Sequence, residues 1–79
     1  MKELVETIAK ALVDNPDEVS VSERTEQISG RDIIKIELHV AEGDMGKVIG
    51  KKGRIAKAIR QVVNAAAVKQ DLQVDVDIV

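Results

Sequence analysis

The sequence predicts an α+β fold of order αββααβ, a mixed three-stranded sheet with three helices packed on one face. Three observations carry this. Two segments, at the start of the chain and after residue 53, repeat apolar residues at helical spacing. Three others alternate apolar and polar residues with a period of two. The length, 79 residues, suits one domain with a small core.

The first helix is expected over residues 2 to 14. Leu4, Ile8 and Leu12 recur every four residues, Val5 and Ala9 widen the stripe, and Asp14-Asn15-Pro16 ends it. Val19 and Val21 alternate with Glu18, Ser20 and Ser22, which predicts a strand from about 17 to 25, with Ile28-Ser29-Gly30 as the turn. In Ile33 to Val40, the residues Ile34, Ile36, Leu38 and Val40 point one way while Lys35, Glu37 and His39 point the other. His39 therefore belongs on a wet face. Glu42-Gly43-Asp44 offers acids and a cap for a short helix running to about Ile49, with Met45, Val48 and Ile49 inward. The long helix spans 54 to 68: Ile55, Ile59, Val62, Val63 and Ala66 fall on its apolar side, and Lys57, Arg60, Gln61 and Asn64 lie outside. Leu72, Val74, Val76 and Ile78 predict a third strand. A short connection makes the first two strands an antiparallel hairpin, and the two-helix crossover permits a parallel third strand.

Composition removes several kinds of chemistry. Without cysteine there are no disulfides or thiolate sites, and His39, the only histidine, cannot form a histidine-rich zinc centre. The absence of Phe, Tyr and Trp excludes nucleic-acid modules built on aromatic stacking. No cofactor is expected. Glu3 and Glu6 interrupt the opening segment, so it is neither a signal peptide nor a membrane span, and the cytoplasm is the expected location.

The net charge of −2 conceals an asymmetry. Residues 1 to 44 hold eleven acids against five bases, whereas residues 45 to 70 hold seven bases and no acid. A concentrated basic block in an acidic chain fits a local polyanion site; it also fits a solvated helix face. Within it lies Lys47-Val48-Ile49-Gly50-Lys51-Lys52-Gly53-Arg54-Ile55. The glycine spacing alone carries little weight, since Gly43 and Gly46 share it. Its setting carries more: Lys51 and Lys52 fill the loop, and Arg54 opens a helix whose first amides lack partners. Bare glycines admit a sugar-phosphate backbone closely. Equally, Gly50 and Gly53 could serve only to end one helix and begin the next.

Val48-Ile49-Gly50-Lys51-Lys52-Gly53-Arg54-Ile55 resembles the signature of the KH domain, an apolar pair, a GxxG loop and a basic-apolar pair between two helices. The order of elements resembles its type II form over almost the whole chain, residues 1 to 79 as a single KH domain. The chain is also similar to small bacterial single-KH RNA-binding proteins, including the stretch Ile55-Ala56-Lys57-Ala58-Ile59-Arg60. This resemblance implies binding of single-stranded RNA, the loop clamping about four nucleotides beside an apolar groove. Gly50, Lys51, Lys52 and Gly53 would form the clamp, Arg54, Lys47 and Lys57 would add charge, and Ile49 and Ile55 would shape the groove, although each isoleucine could be ordinary core. It further implies a cytoplasmic bacterial RNA chaperone or post-transcriptional regulator, acting as a homodimer or as a heterodimer with a larger KH-domain protein.

Other classes fit less well. Gly46 to Lys52 lacks the spacing and the Ser or Thr of a P-loop. A helix-hairpin-helix or helix-turn-helix DNA binder would share the glycine turn but not three regular strands. A KH-shaped protein-interaction module, its basic helix facing an acidic partner, remains an alternative. No nucleophile and base stand together, so no enzyme is expected.

Overall fold

The computed structural model describes all of residues 1–79. Helix α1 covers Lys2–Leu12, with Glu3 in its first turn and Lys10 in its last, each matching the local sign of the helix dipole. Pro16, whose φ is fixed, opens a single 3₁₀ turn over Pro16–Glu18. The first strand, β1, therefore starts later than expected and covers Ser20–Ile28. Ser29 and Gly30 both take positive φ, 53° and 79°, the geometry that two-residue hairpins favour. Pairing thus runs through to Ile28↔Arg31, and β2 covers Arg31–His39. Two further helices follow, α2 over Met45–Ile49 and α3 over Arg54–Lys69. Strand β3 covers Val74–Ile78. Leu72, expected in that strand, instead donates its N–H to Ala67 O at 2.8 Å and finishes α3, the left-handed Asp71 (φ 56°) just before it having turned the chain.

The sheet order is β1-β2-β3, β2 being antiparallel to β1 and parallel to β3. This is the mixed sheet that the connection lengths predict. Ile36, Leu38 and Val40 bury one face of the central segment against Val5 and Ala9 of α1, Val48 of α2 and Ile59, Val63 and Ala67 of α3. The other face carries Arg24–Glu37 and Lys35–Asp75 ion pairs and the exposed His39. Such surface pairs contribute about 0–1 kcal/mol each, so apolar packing holds the layers together. Beyond Val21 the inward positions of β1 are Glu23, Thr25 and Gln27, all exposed. The hairpin tip consequently overhangs the helices, and the molecule is elongated, 39 × 20 × 18 Å.

Candidate nucleic-acid interface

The short α2 ends where Gly50 adopts φ 76°, ψ 172°, a region open to glycine almost alone. Space there is also closed: a Cβ on Gly50 would lie 2.6 Å from Ile55 Cγ1. Gly53 is different. Its φ of 73° is left-handed, yet a Cβ would meet nothing within 4 Å. Lys52, with φ 58°, adds a third positive φ, and Gly53 N–H donates to Gly50 O at 3.1 Å to close the turn. The backbone thus doubles back within four residues and leaves Lys51 and Lys52 exposed, neither in an ion pair. No side chain caps the start of α3; its first amide, Arg54 N–H, donates back to Lys51 O of the turn.

The other residues named from the sequence separate into distinct settings. Arg54 and Lys57 are exposed on α3. Lys47 is engaged: its ammonium pairs with Asp14 at the end of α1, and that hydrogen bond, with the carboxylate's attraction, raises its pKa. Val48 points into the core as expected, but Ile49, expected inward, is 36% exposed. Ile55 packs beside Gly50 and lines an apolar groove between α1 and α3 with Leu4, Ile8, Leu12, Ala58 and Val62. Ile49 does not line that groove.

Asp44 does not cap α2 with its side chain. It is buried and accepts hydrogen bonds from Asp14 N–H, Asn15 N–H (3.0 Å) and Asn15 Nδ2 (3.1 Å). Burial pushes its carboxyl pKa up, but the bonds from Asn15 and Asp14 and the charge of Lys47 outweigh this and hold it below the ordinary value. Asp44 thereby fastens the α1–β1 connection to the root of the helix that leads into the glycine turn.

The helical repeat of about 100° per residue gives α3 two flanks beside its buried stripe. Ile55, Ala58 and Val62 face the α1 groove. On the opposite side Lys57, Arg60 and Asn64 share a flank, and Arg60 Nε donates to Val76 O of β3 at 3.0 Å. The sequence placed Arg60 outside; its bond to the sheet could not be read from periodicity.

The fold and the glycine turn define a KH-like domain, and known structures agree. Two structures of Era share the fold at 22% identity: one of Aquifex aeolicus Era bound to GDP·AlF4⁻, TM-score 0.69, and one of Era in complex with MgGDPNP and nucleotides 1506–1542 of 16S ribosomal RNA, TM-score 0.70. Each match covers 98% of this chain but 28% of the Era chain. The chain belongs to the family described as KhpA/KhpB, KH domain, which it matches over residues 2–78. It is 62% identical to the RNA-binding protein KhpA of Clostridium acetobutylicum over 79 residues, all of both chains. Similarity to the RNA-binding protein KhpA of Chlamydia trachomatis is 44% over 78 residues, covering 99% of this chain and 95% of that one.

Proposed function

We propose that this protein binds single-stranded RNA in the bacterial cytoplasm as an RNA chaperone or post-transcriptional regulator, the turn from Gly50 to Gly53 clamping the phosphate backbone. The observation that carries the reading is the pair of unengaged lysines, Lys51 and Lys52, on a turn whose glycines keep side chains away. Arg54 and Lys57 extend the positive surface along α3, and Lys47 lies behind it, tied to Asp14. The exposed Ile49 offers an apolar contact for a base next to the turn. The family's name for its members, RNA-binding protein, agrees with this reading. No helix is long and apolar enough to cross a membrane, and no group of metal-ligating side chains is present.

A second surface accompanies the first. The α1–α3 groove leaves Leu12 39% and Val62 50% exposed, which favours association with a second copy or with a larger KH-domain protein. A small clamp holding few nucleotides then gains affinity for long RNA through effective concentration.

The test is the Lys51→Asp, Lys52→Asp protein, which keeps both glycines while setting repulsion against phosphate. RNA affinity is expected to fall at least tenfold, about 1.4 kcal/mol, with melting displaced by no more than a few degrees. If about three phosphates are neutralised, wild-type affinity should fall with salt at a log-log slope near −2. Full affinity in the folded variant, or a flat salt response, overturns the clamp.

A further inference from the structure

We propose that the open edge of β1 pairs with β1 of a second copy, the two strands running antiparallel about a two-fold axis at Thr25 and joining two sheets into one. This surface lies apart from the α1–α3 groove.

Strand β1 ends the sheet order β1-β2-β3, so one side of Ser20–Ile28 has no strand beside it. The direction of its backbone groups follows from β2, because successive residues of a strand turn their N–H and C=O to alternate sides. Ile34 N–H donates to Gln73 O and Val79 N–H donates to Leu38 O, so Ile34, Ile36 and Leu38 face β3, and Ile33, Lys35 and Glu37 face β1. Through the register Ser22↔Glu37, Arg24↔Lys35 and Glu26↔Ile33, the residues Ser22, Arg24 and Glu26 bond to β2. Glu23, Thr25 and Gln27 turn theirs to the open side. Proteins commonly blunt such an edge with lysine, proline or a bulge. Here there is no Lys or Pro from Ser20 to Ile28, and the pairing with β2 runs unbroken.

Charge selects the partner and the register. Residues directly opposite in an antiparallel pair share a face and interact, so a strand that meets its own copy is centred on one residue. An axis at Arg24, which overlaps the most chain, sets Arg24 against Arg24. Axes at Glu23 and Glu26 set acid against acid, and one at Ser22 pairs only Ser20 to Arg24 and matches no charges. Centred on Thr25, the strands place Thr25 opposite Thr25, Glu23 opposite Gln27, and Arg24 of each copy opposite Glu26 of the other. Opposite charges and threonine pairs stabilise a ladder, and no like charges meet. Arg24 spends Nε on Glu26 and Nη1 on Glu37 of its own chain, leaving Nη2 for Glu26 of the second copy.

The paired stretch, Ser22 to Ile28, lies in the part of the hairpin that overhangs the helices, where Glu23, Thr25 and Gln27 are exposed. The opposite edge is β3, beside the flank of α3 that carries Arg60. A joined sheet therefore keeps both basic flanks uncovered, one at each end.

The experiment uses the full chain, which has no cysteine, so each introduced thiol is unique. Ser22 and Ile28 are exposed and fall opposite each other in this register without bonding through the backbone, a kind of pair whose Cα atoms stand about 4.5 Å apart, within the span of a disulfide. Mixed at high micromolar concentration in a glutathione redox buffer, Ser22→Cys and Ile28→Cys are expected to link to each other at least tenfold more than either links to itself. Arg24→Glu added to both should lower that linkage at least fivefold. Arg24→Glu in one and Glu26→Arg in the other should return it to within twofold, because each acid again faces a base; a folding defect cannot produce such a rescue. Adding Val62→Glu to both should leave the linkage within twofold. Equal linkage in mixed and unmixed samples overturns the proposal, as does a missing rescue, a loss on adding Val62→Glu, which would mean that the groove brings the copies together, or a preference of either thiol for another protein in cell extract. The purified samples contain no RNA, so failure of the RNA reading leaves these outcomes unchanged.

Discussion

The two flanks of α3 have opposite chemistry. Toward α1 it shows Ile55, Ala58 and Val62, an apolar strip left partly open to water, with Arg54 at its loop end. Toward β3 it shows Lys57, Arg60 and Asn64, polar and with Arg60 bound to the sheet edge. Between them Ala56, Ile59, Val63 and Ala67 are buried, two of the four small enough to bring the helix close to its neighbours. A surface helix ordinarily divides into a wet and a dry face. This one divides into three, so one rigid element carries both a basic surface and an exposed apolar one. Both flanks begin at the glycine turn, where Ile55 presses on Gly50.

That shared root gives the largest expected effect. In Gly50→Ala the new Cβ falls 2.6 Å from Ile55 Cγ1 and 3.0 Å from Ile55 Cβ, at a φ of 76° that L side chains rarely adopt. Backbone strain of about 1–3 kcal/mol and overpacking of similar size make a loss of about 3 kcal/mol the expected result of urea unfolding. Gly53→Ala meets no atom, so it carries the left-handed penalty alone, about 1 kcal/mol. Equal losses at the two glycines would mean that Ile55 yields freely and that the apolar flank is not braced against the turn.

Next in size is the separation of the flanks by Val62→Glu. Val62 is half exposed, so the substitution buries no charge within one copy. Self-association, followed by sedimentation at micromolar concentration, is expected to weaken at least tenfold, about 1.4 kcal/mol, while binding of a short RNA changes less than twofold. A wild-type protein that stays strictly monomeric removes self-association from the role of the apolar flank. A variant that loses short-RNA binding as well would show that the two flanks do not act separately.

Much of this was legible because it is periodic. The alternation from Ile34 to Val40 placed the central strand and its buried face, and the spacing of Ile59 and Val63 placed α3. Connection lengths gave the antiparallel and parallel pairings. Contacts between distant residues were not legible. Asp44 looks like a local cap, yet its partners Asp14 and Asn15 lie about thirty positions earlier. Arg60 looks like solvated helix surface, yet it reaches Val76 across sixteen. Ile49 and Ile55 look equivalent beside the loop, and only the kink at Gly50 decides that Ile55 lines the α1 groove and Ile49 does not. Strand ends shifted where single residues dominate the backbone, at Pro16 and at Asp71.

The smallest effect concerns the basic flank, and it fixes the path of the RNA. Lys57 is exposed, lies one turn beyond Arg54 and forms no ion pair, whereas Lys47 is held by Asp14. Lys57→Gln keeps a flexible polar side chain, one atom shorter, and removes one charge, at an exposed helix position where stability should move by no more than about 0.5 kcal/mol. If the backbone passes along this flank, one phosphate contact is lost, and the log-log salt slope for a single strand should become shallower by about 0.7. At low salt the variant should bind more weakly than wild type, and the two should converge as salt rises, because the lost contribution is the one that salt screens. Lys47→Gln is the matched control: its ammonium already has a carboxylate partner, so its effect on the slope should be the smaller of the two. An unaltered slope in Lys57→Gln would carry the strand off the β3 side of α3. A slope changed more by Lys47→Gln than by Lys57→Gln would mean that RNA displaces Asp14 and runs over α2, making the basic residue that looks engaged the one that binds.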